Sequence, residues 1–261
     1  MNSSGHLGTA LVTGASSGIG AAYADRLAGR GYNLLLVARD LARLERLAKR
    51  LAKNYRIQVE VLSADLSLTA GIERVAQRLR ADKQITLLVN NAGMSLTGSL
   101  AESDRYSVAE LLQLNVLALT LLSSAAAVNF GMAGRGGIIN LGSVEALLPE
   151  RFNAVYAASK AYVLSLTQSL QAEIGERGVQ IQAVLAGTKG SGVRPCSLPH
   201  AAEPLMMDTG ELVDAALHGF DQGELVTIAS LPDNTDWQRL LQARLPLAPP
   251  LSPQRPAARC S

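Results

Sequence analysis

Short apolar runs alternate with longer helix-patterned segments along almost the whole chain, and nothing limits the possible folds more than this alternation. Candidate strands fall at Thr9–Thr13, Asn33–Ala38, Gln58–Leu62, Thr86–Asn90, Gly137–Leu141, Gln180–Leu185 and Leu225–Ile228. Helical patterns occupy 18–30, 41–54, 68–81, 104–131, 153–176 and 209–220. The strands are apolar without clean alternation, as a parallel sheet covered on both faces requires. With right-handed crossovers, this predicts a doubly wound seven-stranded parallel sheet of Rossmann type. The 261 residues, 48% of them hydrophobic, are read as one α/β domain spanning 1–261.

Two stretches break the rhythm. Residues 186–208 form a long connection rich in Gly and Pro, the kind that serves as a lid or binding loop. The tail from Pro246 to Pro256 holds five of the ten prolines and is expected to be an extended strap or a disordered end. A third stretch, Leu111 to Phe130, is apolar enough to imitate a membrane span. It carries Gln113, Asn115, Thr120, Ser123, Ser124 and Asn129, which are costly in hydrocarbon, so a helix buried between protein layers or at a subunit contact is expected instead.

With 24 Lys+Arg against 22 Asp+Glu, the net charge of +2 gives no field that would attract nucleic acid or an anionic membrane. Cys196 and Cys260 lack metal-ligand spacing, as do His6, His200 and His218, so no metal site is expected. Free thiols fit a reducing compartment, and the N-terminus shows no basic region followed by an apolar run. A cytoplasmic location is expected.

Thr13-Gly14-Ala15-Ser16-Ser17-Gly18-Ile19-Gly20 follows the first strand and opens the first helix. Glycines there let a backbone approach a pyrophosphate, and the helix N-terminus offers unpaired N–H groups and a positive dipole end. The second strand ends in Ala38-Arg39-Asp40. An acid at that end would bond a ribose 2′-hydroxyl, whereas Arg39 offers a planar cationic fork to a 2′-phosphate. Asp40 directly precedes a helical run, where N-capping is its ordinary work. The pattern favours NADP(H) over NAD(H). Tyr156 and Lys160 stand four residues apart in a helical segment and so share one face. A tyrosine with an ordinary pKa near about 10 needs help to act near neutrality, and a close ammonium is expected to lower it.

These motifs, together with Asp65-Leu66, Asn90-Asn91-Ala92-Gly93, Asn115 and Ser143, resemble the short-chain dehydrogenase/reductase family in type and order, from about Thr9 to Gly187. The resemblance implies an NADP(H)-dependent oxidoreductase acting on a small carbonyl or secondary alcohol. It makes Tyr156 the general acid/base and Lys160 its partner and a ribose ligand, with Ser143 on the substrate oxygen and Asn115 holding a water. It implies cofactor contacts from Gly14, Ser16, Ser17, Gly18, Ile19, Gly20, Arg39, Asp65, Leu66, Asn91, Ala92, Gly93, Tyr156, Lys160, Gly187 and Thr188. Ser143, Glu145 and Tyr156 are the expected substrate contacts, with Leu147, Leu148, Phe152, Met94 and Ser95 around them. It also implies a homodimer or homotetramer through Leu111–Phe130 and the helix of Tyr156.

The chain departs from the family after the sixth strand, where Ala186 replaces a proline and Thr188 comes earlier than the family threonine. That departure is the one support for an alternative, a dinucleotide-binding sensor or scaffold with little turnover. An epimerase or dehydratase of the extended branch needs a larger C-terminal substrate domain and is not expected.

Overall fold

The apolar runs become strands whose side chains are mostly buried, except along the edge strand at 59–63, because helices cover both faces of the sheet. The computed structural model describes residues 7–187 and 207–247. Its strands are β1 (Thr9–Thr13), β2 (Asn33–Ala38), β3 (Val59–Ser63), β4 (Ile85–Asn90), β5 (Gly136–Ser143), β6 (Val179–Ala186) and β7 (Val226–Thr227). They form one parallel sheet in the order β3-β2-β1-β4-β5-β6-β7, the expected doubly wound α/β fold. Strand β1 pairs with β2 on one side and β4 on the other. The order reverses there, and the loops leaving β1 and β4 open a crevice at the carboxyl ends of the strands.

Helices α1 (Gly18–Gly29), α2 (Leu41–Tyr55) and α7 (Thr209–Asp221) cover one face, burying Tyr23, Leu27, Leu44, Leu51 and Leu212 against it. Helices α3 (Thr69–Ala81), α5 (Leu119–Ala133) and α6 (Ala154–Ile174) cover the other, with Ile72, Leu122, Phe130 and Leu170 at its core. Asp40 caps α2 as expected, its carboxylate accepting from the Arg43 N–H at 2.9 Å.

The segment expected as one helix over 104–131 differs. It is α4 (Arg105–Leu112), a π-helical turn (Gln113–Ala118) and α5 in succession. The wider turn re-aims the side chains it carries, Asn115 among them. By length and composition Arg105–Ala133 could cross a membrane, and 44% of its most apolar stretch is buried. Its polar residues are partnered inside: Ser123 accepts from Asn90, and the Asn129 amide donates to the carbonyls of Leu79 and Arg80. The other face leaves Leu117, Leu121, Val128 and Met132 exposed.

The described residues 230–247 contain α8 (Thr235–Arg244) and a 3-10 turn, Leu245–Leu247. Pro246 therefore lies in a turn, not in an extended strap, and the rest of the proline-rich tail lies outside the described residues. Residues 188–206 of the long connection, with Thr188 and Cys196, lie outside them too.

Candidate active site

The crevice at the strand reversal is a cavity of about 490 Å³. Gly14, Ser16, Ser17, Ile19, Arg39, Asp65, Leu66, Asn91, Ala92 and Gly93 line it, all expected cofactor contacts, together with Ala38, Asp40, Arg43, Ala64 and Leu114. Gly18, Gly20, Gly187, Tyr156 and Lys160 are not part of this lining.

Gly14 has φ +64°, and a Cβ on it would come within 2.7 Å of the Asn91 amide and 3.0 Å of the Ala92 backbone. Only glycine fits both demands. Gly20 works inside the fold, since a side chain there would run into the Gly14 carbonyl oxygen and the helix could not approach the turn. Asn91 fixes the turn from the β4 side, its amide donating to the carbonyls of Thr13 at 2.9 Å and Gly14 at 3.2 Å. Thr13 reciprocates, its Oγ1 accepting from the N–H groups of Asn91 and Ala92 at 3.0 Å each.

At α1 the N-cap Ser17 makes no side-chain capping bond among the described residues, so the first amides of the helix lack that partner beside the cavity that Ser17 and Ile19 line. A glycine-walled turn beneath an uncapped helix start fits a pyrophosphate. At the far end, Arg39 is 69% exposed along its side chain and stands 3.9 Å from Asp65 and 3.8 Å from Glu110. These contacts are long and solvated, so they hold the guanidinium weakly. Asp65 accepts from the Ser67 N–H at 2.9 Å and hydroxyl at 2.7 Å. Burial works to raise its pKa, but the Ser67 hydrogen bonds and the Arg39 charge together hold it below the ordinary value. Arg43, absent from the sequence expectations, brings a second guanidinium to this end, 3.2 Å from Asp40. Its position four residues after Arg39 was the available signal.

Ser143 ends β5, and Tyr156 and Lys160 lie in the first two turns of α6. Asn153 caps that helix, its Oδ1 accepting from the Tyr156 N–H at 3.0 Å while its amide donates to the Gly98 carbonyl at 2.8 Å. The Ser143 hydroxyl lies close enough to the Tyr156 phenol to pull its pKa down. The Lys160 ammonium is buried, donates to the Leu141 carbonyl at 2.8 Å and lies 5.6 Å from the Tyr156 ring centre. Gly93 brings the two halves of the site together, since a Cβ there would lie 3.2 Å from Asn115 Oδ1 and 3.7 Å from Lys160 Nζ.

Asn115 grips the chain after that glycine. Its Oδ1 accepts from the Met94 N–H at 2.9 Å and its amide donates to the Met94 carbonyl at 2.8 Å. The same amide donates to Ser159 Oγ at 3.2 Å, and Ser159 donates to the Tyr156 carbonyl at 2.7 Å. Ser159 sits inside the Tyr156–Lys160 interval, and nothing in the spacing of that pair marks it as a contact of Asn115. Of the expected pocket residues, Leu147 and Phe152 are half-buried beside two short 3-10 turns and Leu148 is exposed.

The expected lowering of the Tyr156 pKa is not what the geometry gives. Burial, and then the Glu145 carboxylate, push the phenol up to about 12, with only the Ser143 hydrogen bond pulling it down. Lys160 moves the other way, to about 8, because burial disfavours its charge more than Glu145 favours it. Spacing along a helix says that two side chains share a face; it does not say how much water they lose.

The model of the short chain dehydrogenase family matches residues 8–195. An alcohol dehydrogenase from Comamonas testosteroni, described as specific for bulky-bulky ketones, is 43% identical and superposes with a TM-score of 0.90, covering 97% of this chain and 98% of that one. A short-chain dehydrogenase from Sphingobium yanoikuyae, solved in complex with NADPH, is 42% identical with a TM-score of 0.91, covering 97% and 99%. An uncharacterised oxidoreductase of Staphylococcus saprophyticus is 30% identical over 84% of this chain and 93% of its own length. The chain spans 54% of the very-long-chain 3-oxoacyl-CoA reductase of Vanderwaltozyma polyspora, to which it is 31% identical.

Proposed function

Because the chain belongs to the short-chain dehydrogenase family and is an oxidoreductase of that fold, we propose that it transfers a hydride between NADP(H) and a ketone or secondary alcohol, with Tyr156 as the general acid and base. The observation that carries this reading is the buried Lys160 ammonium, 5.6 Å from the Tyr156 ring centre and beside Gly93 of the cofactor crevice, with Ser143 acting on the Tyr156 phenol. The relative solved with NADPH and the ketone-specific relative favour the cofactor and the substrate class.

In this reading Gly14, Ser16, Ser17 and Ile19 hold the pyrophosphate, and Arg39 with Arg43 holds the 2′-phosphate. Asp65 and Leu66 border the adenine, and Asn91, Ala92 and Gly93 border the ribose, with Tyr156 and Lys160 reaching the nicotinamide end. The chemistry NADP(H) supplies when bound is hydride transfer to or from the carbonyl carbon.

The chain's own residues handle the proton. With its pKa near 12 the Tyr156 phenol is protonated at neutral pH, so it can give its proton to an oxygen becoming an alkoxide, a stronger base than a phenolate. The Ser143 hydroxyl accepts from the Glu145 N–H at 3.2 Å, which leaves its own proton for the phenol or the substrate oxygen. Lys160 places a positive charge below the ring, where a phenolate formed in the reverse direction is stabilised. Asn115 and Ser159 act by position, tying the chain at Met94 to the helix of Tyr156.

A panel of ketones offered with NADPH and with NADH, read by loss of reduced nicotinamide absorbance, tests the proposal. NADPH-dependent consumption with at least one ketone is expected. NADPH binding without turnover across the panel would favour a dinucleotide sensor instead.

A further inference from the structure

Glu145 has no role in the proton chemistry above, and its position is a poor one for a bystander. It stands two residues beyond Ser143 in the 3-10 turn Val144–Ala146, only 3% exposed. Its N–H is tied to the Ser143 hydroxyl at 3.2 Å. Among the described residues, one carboxyl oxygen, Oε2, is buried with no hydrogen-bond partner. The carboxylate lies close enough to act on both Tyr156 and Lys160, adding to the rise of the first pKa and opposing the fall of the second. The Lys160 ammonium is bonded to the Leu141 carbonyl. A buried carboxyl oxygen without a partner is destabilising, and leucine at this place would avoid the penalty. The oxygen therefore matches a group that arrives with the substrate.

We propose that Glu145 is a specificity-determining residue whose free carboxyl oxygen binds a hydroxyl on the carbon next to the carbonyl, so that the site prefers α-hydroxy ketones in reduction and vicinal diols in oxidation. This rests on the oxidoreductase reading of the same site. Ser143 and Tyr156 take the carbonyl oxygen, and Glu145 is fastened to Ser143 through its own backbone. Its carboxylate also lies close enough to act on Tyr156, and in this reading it meets the substituent nearest the reacting carbon. Burial pushes the Glu145 pKa up while Lys160 pulls it down, and a hydroxyl suits either protonation state. It donates to a carboxylate and both donates to and accepts from a carboxylic acid. An ammonium suits only the ionised form, and a second carbonyl suits only the protonated one. A ketone without the hydroxyl leaves the oxygen unpaired, and sites built this way discriminate strongly against the analogue that lacks the group.

In the step itself, the carbonyl carbon gains a hydride from NADPH and its oxygen gains the Tyr156 proton. The products are the diol and NADP+, Tyr156 regains a proton from solvent, and the hydroxyl on Glu145 is unchanged.

The test uses the full chain with NADPH and a matched pair, 2-hydroxypropiophenone and propiophenone. For the unmodified protein, kcat/KM should favour the hydroxy ketone by about tenfold or more, mainly through KM. Glu145→Leu should abolish that preference, bringing the ratio of kcat/KM for the two ketones to about one. Glu145→Gln, which keeps an acceptor oxygen, should retain much of it. Binding of 1-phenyl-1,2-propanediol against 1-phenyl-1-propanol to the NADP+-loaded protein, by calorimetry, gives the same comparison without turnover. Equal use of both ketones by the unmodified protein, or a preference that survives Glu145→Leu, would overturn the assignment while leaving the oxidoreductase reading intact. If neither ketone is reduced, that reading is the one in trouble, and the diol titration still decides the role of Glu145.

Discussion

Asn115 holds Met94 at both ends of one residue, accepting from its N–H at 2.9 Å and donating to its carbonyl at 2.8 Å. The π-helical turn Gln113–Ala118 places that amide, and Ser159 carries the connection on to the helix of Tyr156. Replacing Asn115 by Leu strips both Met94 groups of their partner. We expect a stability loss of about 1–3 kcal/mol in urea denaturation, together with lower turnover. A variant as stable and as active as the unmodified protein would contradict the clamp.

Arg39 meets Asp65 and Glu110 only at 3.9 and 3.8 Å, so little holds it back from a phosphate. Arg39→Ala should weaken NADPH binding by about 1.5–3 kcal/mol, the scale of a charge-assisted hydrogen bond, and leave NADH nearly unchanged. Titration at low salt checks this, because exposed charges are screened. Equal affinity of the unmodified protein for the two cofactors would sink the assignment.

Lys160 gives a prediction with a defined pH window. Burial lowers its pKa from 10.5 to about 8, against the pull of Glu145. Between those values the unfolded chain binds more protons than the folded one, so stability rises with pH there. Below about pH 8 the full penalty is present, about 3 kcal/mol at about 1.4 kcal/mol per pH unit. Lys160→Met removes it but leaves the Leu141 carbonyl without its donor, which offsets about 1 kcal/mol. The variant should therefore be about 2 kcal/mol more stable at pH 7, with the gap closing toward pH 10, while turnover and NADPH affinity fall. Lower stability of the variant at pH 7 would contradict the burial argument.

Above pH 10, Tyr156 works in the opposite direction. Its folded pKa is raised from 10.0 to about 12, by burial first and the Glu145 charge second. The stability this contributes is complete below about pH 10 and is lost as pH climbs toward 12. Tyr156→Phe should flatten that alkaline decline in a denaturation series. An unchanged decline would mean that the phenol is not buried.

The strand pattern was readable because Gly, Asn and Asp punctuate it: β1 and β2 begin and end where the apolar runs do. The edge strand β7 is shorter than its apolar run, pairing with β6 through Ala183 and Val184. The π-helical turn was not readable, because Leu111 to Val116 contains no Gly or Pro to mark a change of pitch. Cofactor-side residues were legible as local motifs. Ser159 and the direction of the Tyr156 pKa were not, because each depends on what packs against the helix of Tyr156 from elsewhere in the chain.

The exposed row Leu117, Leu121, Val128 and Met132, the last 80% exposed, is the surface on which we expect a second copy to dock. Light scattering should give a dimer or tetramer at micromolar concentration, and Val128→Glu with Met132→Glu should shift it to monomer. A monomer from the unmodified chain would refute this.

The central claim is that Tyr156 carries the proton, and one substitution tests it most directly. Tyr156→Phe keeps the ring in its place between Ser143 and Lys160 and removes only the hydroxyl. With a ketone that the unmodified protein reduces, kcat should fall by about 10²–10⁴-fold, the range for loss of general acid catalysis, while NADPH affinity and the neutral-pH melting midpoint stay nearly the same. If Tyr156→Phe instead keeps most of the activity with the same ketone, the proton comes from elsewhere and the assignment of this site is wrong.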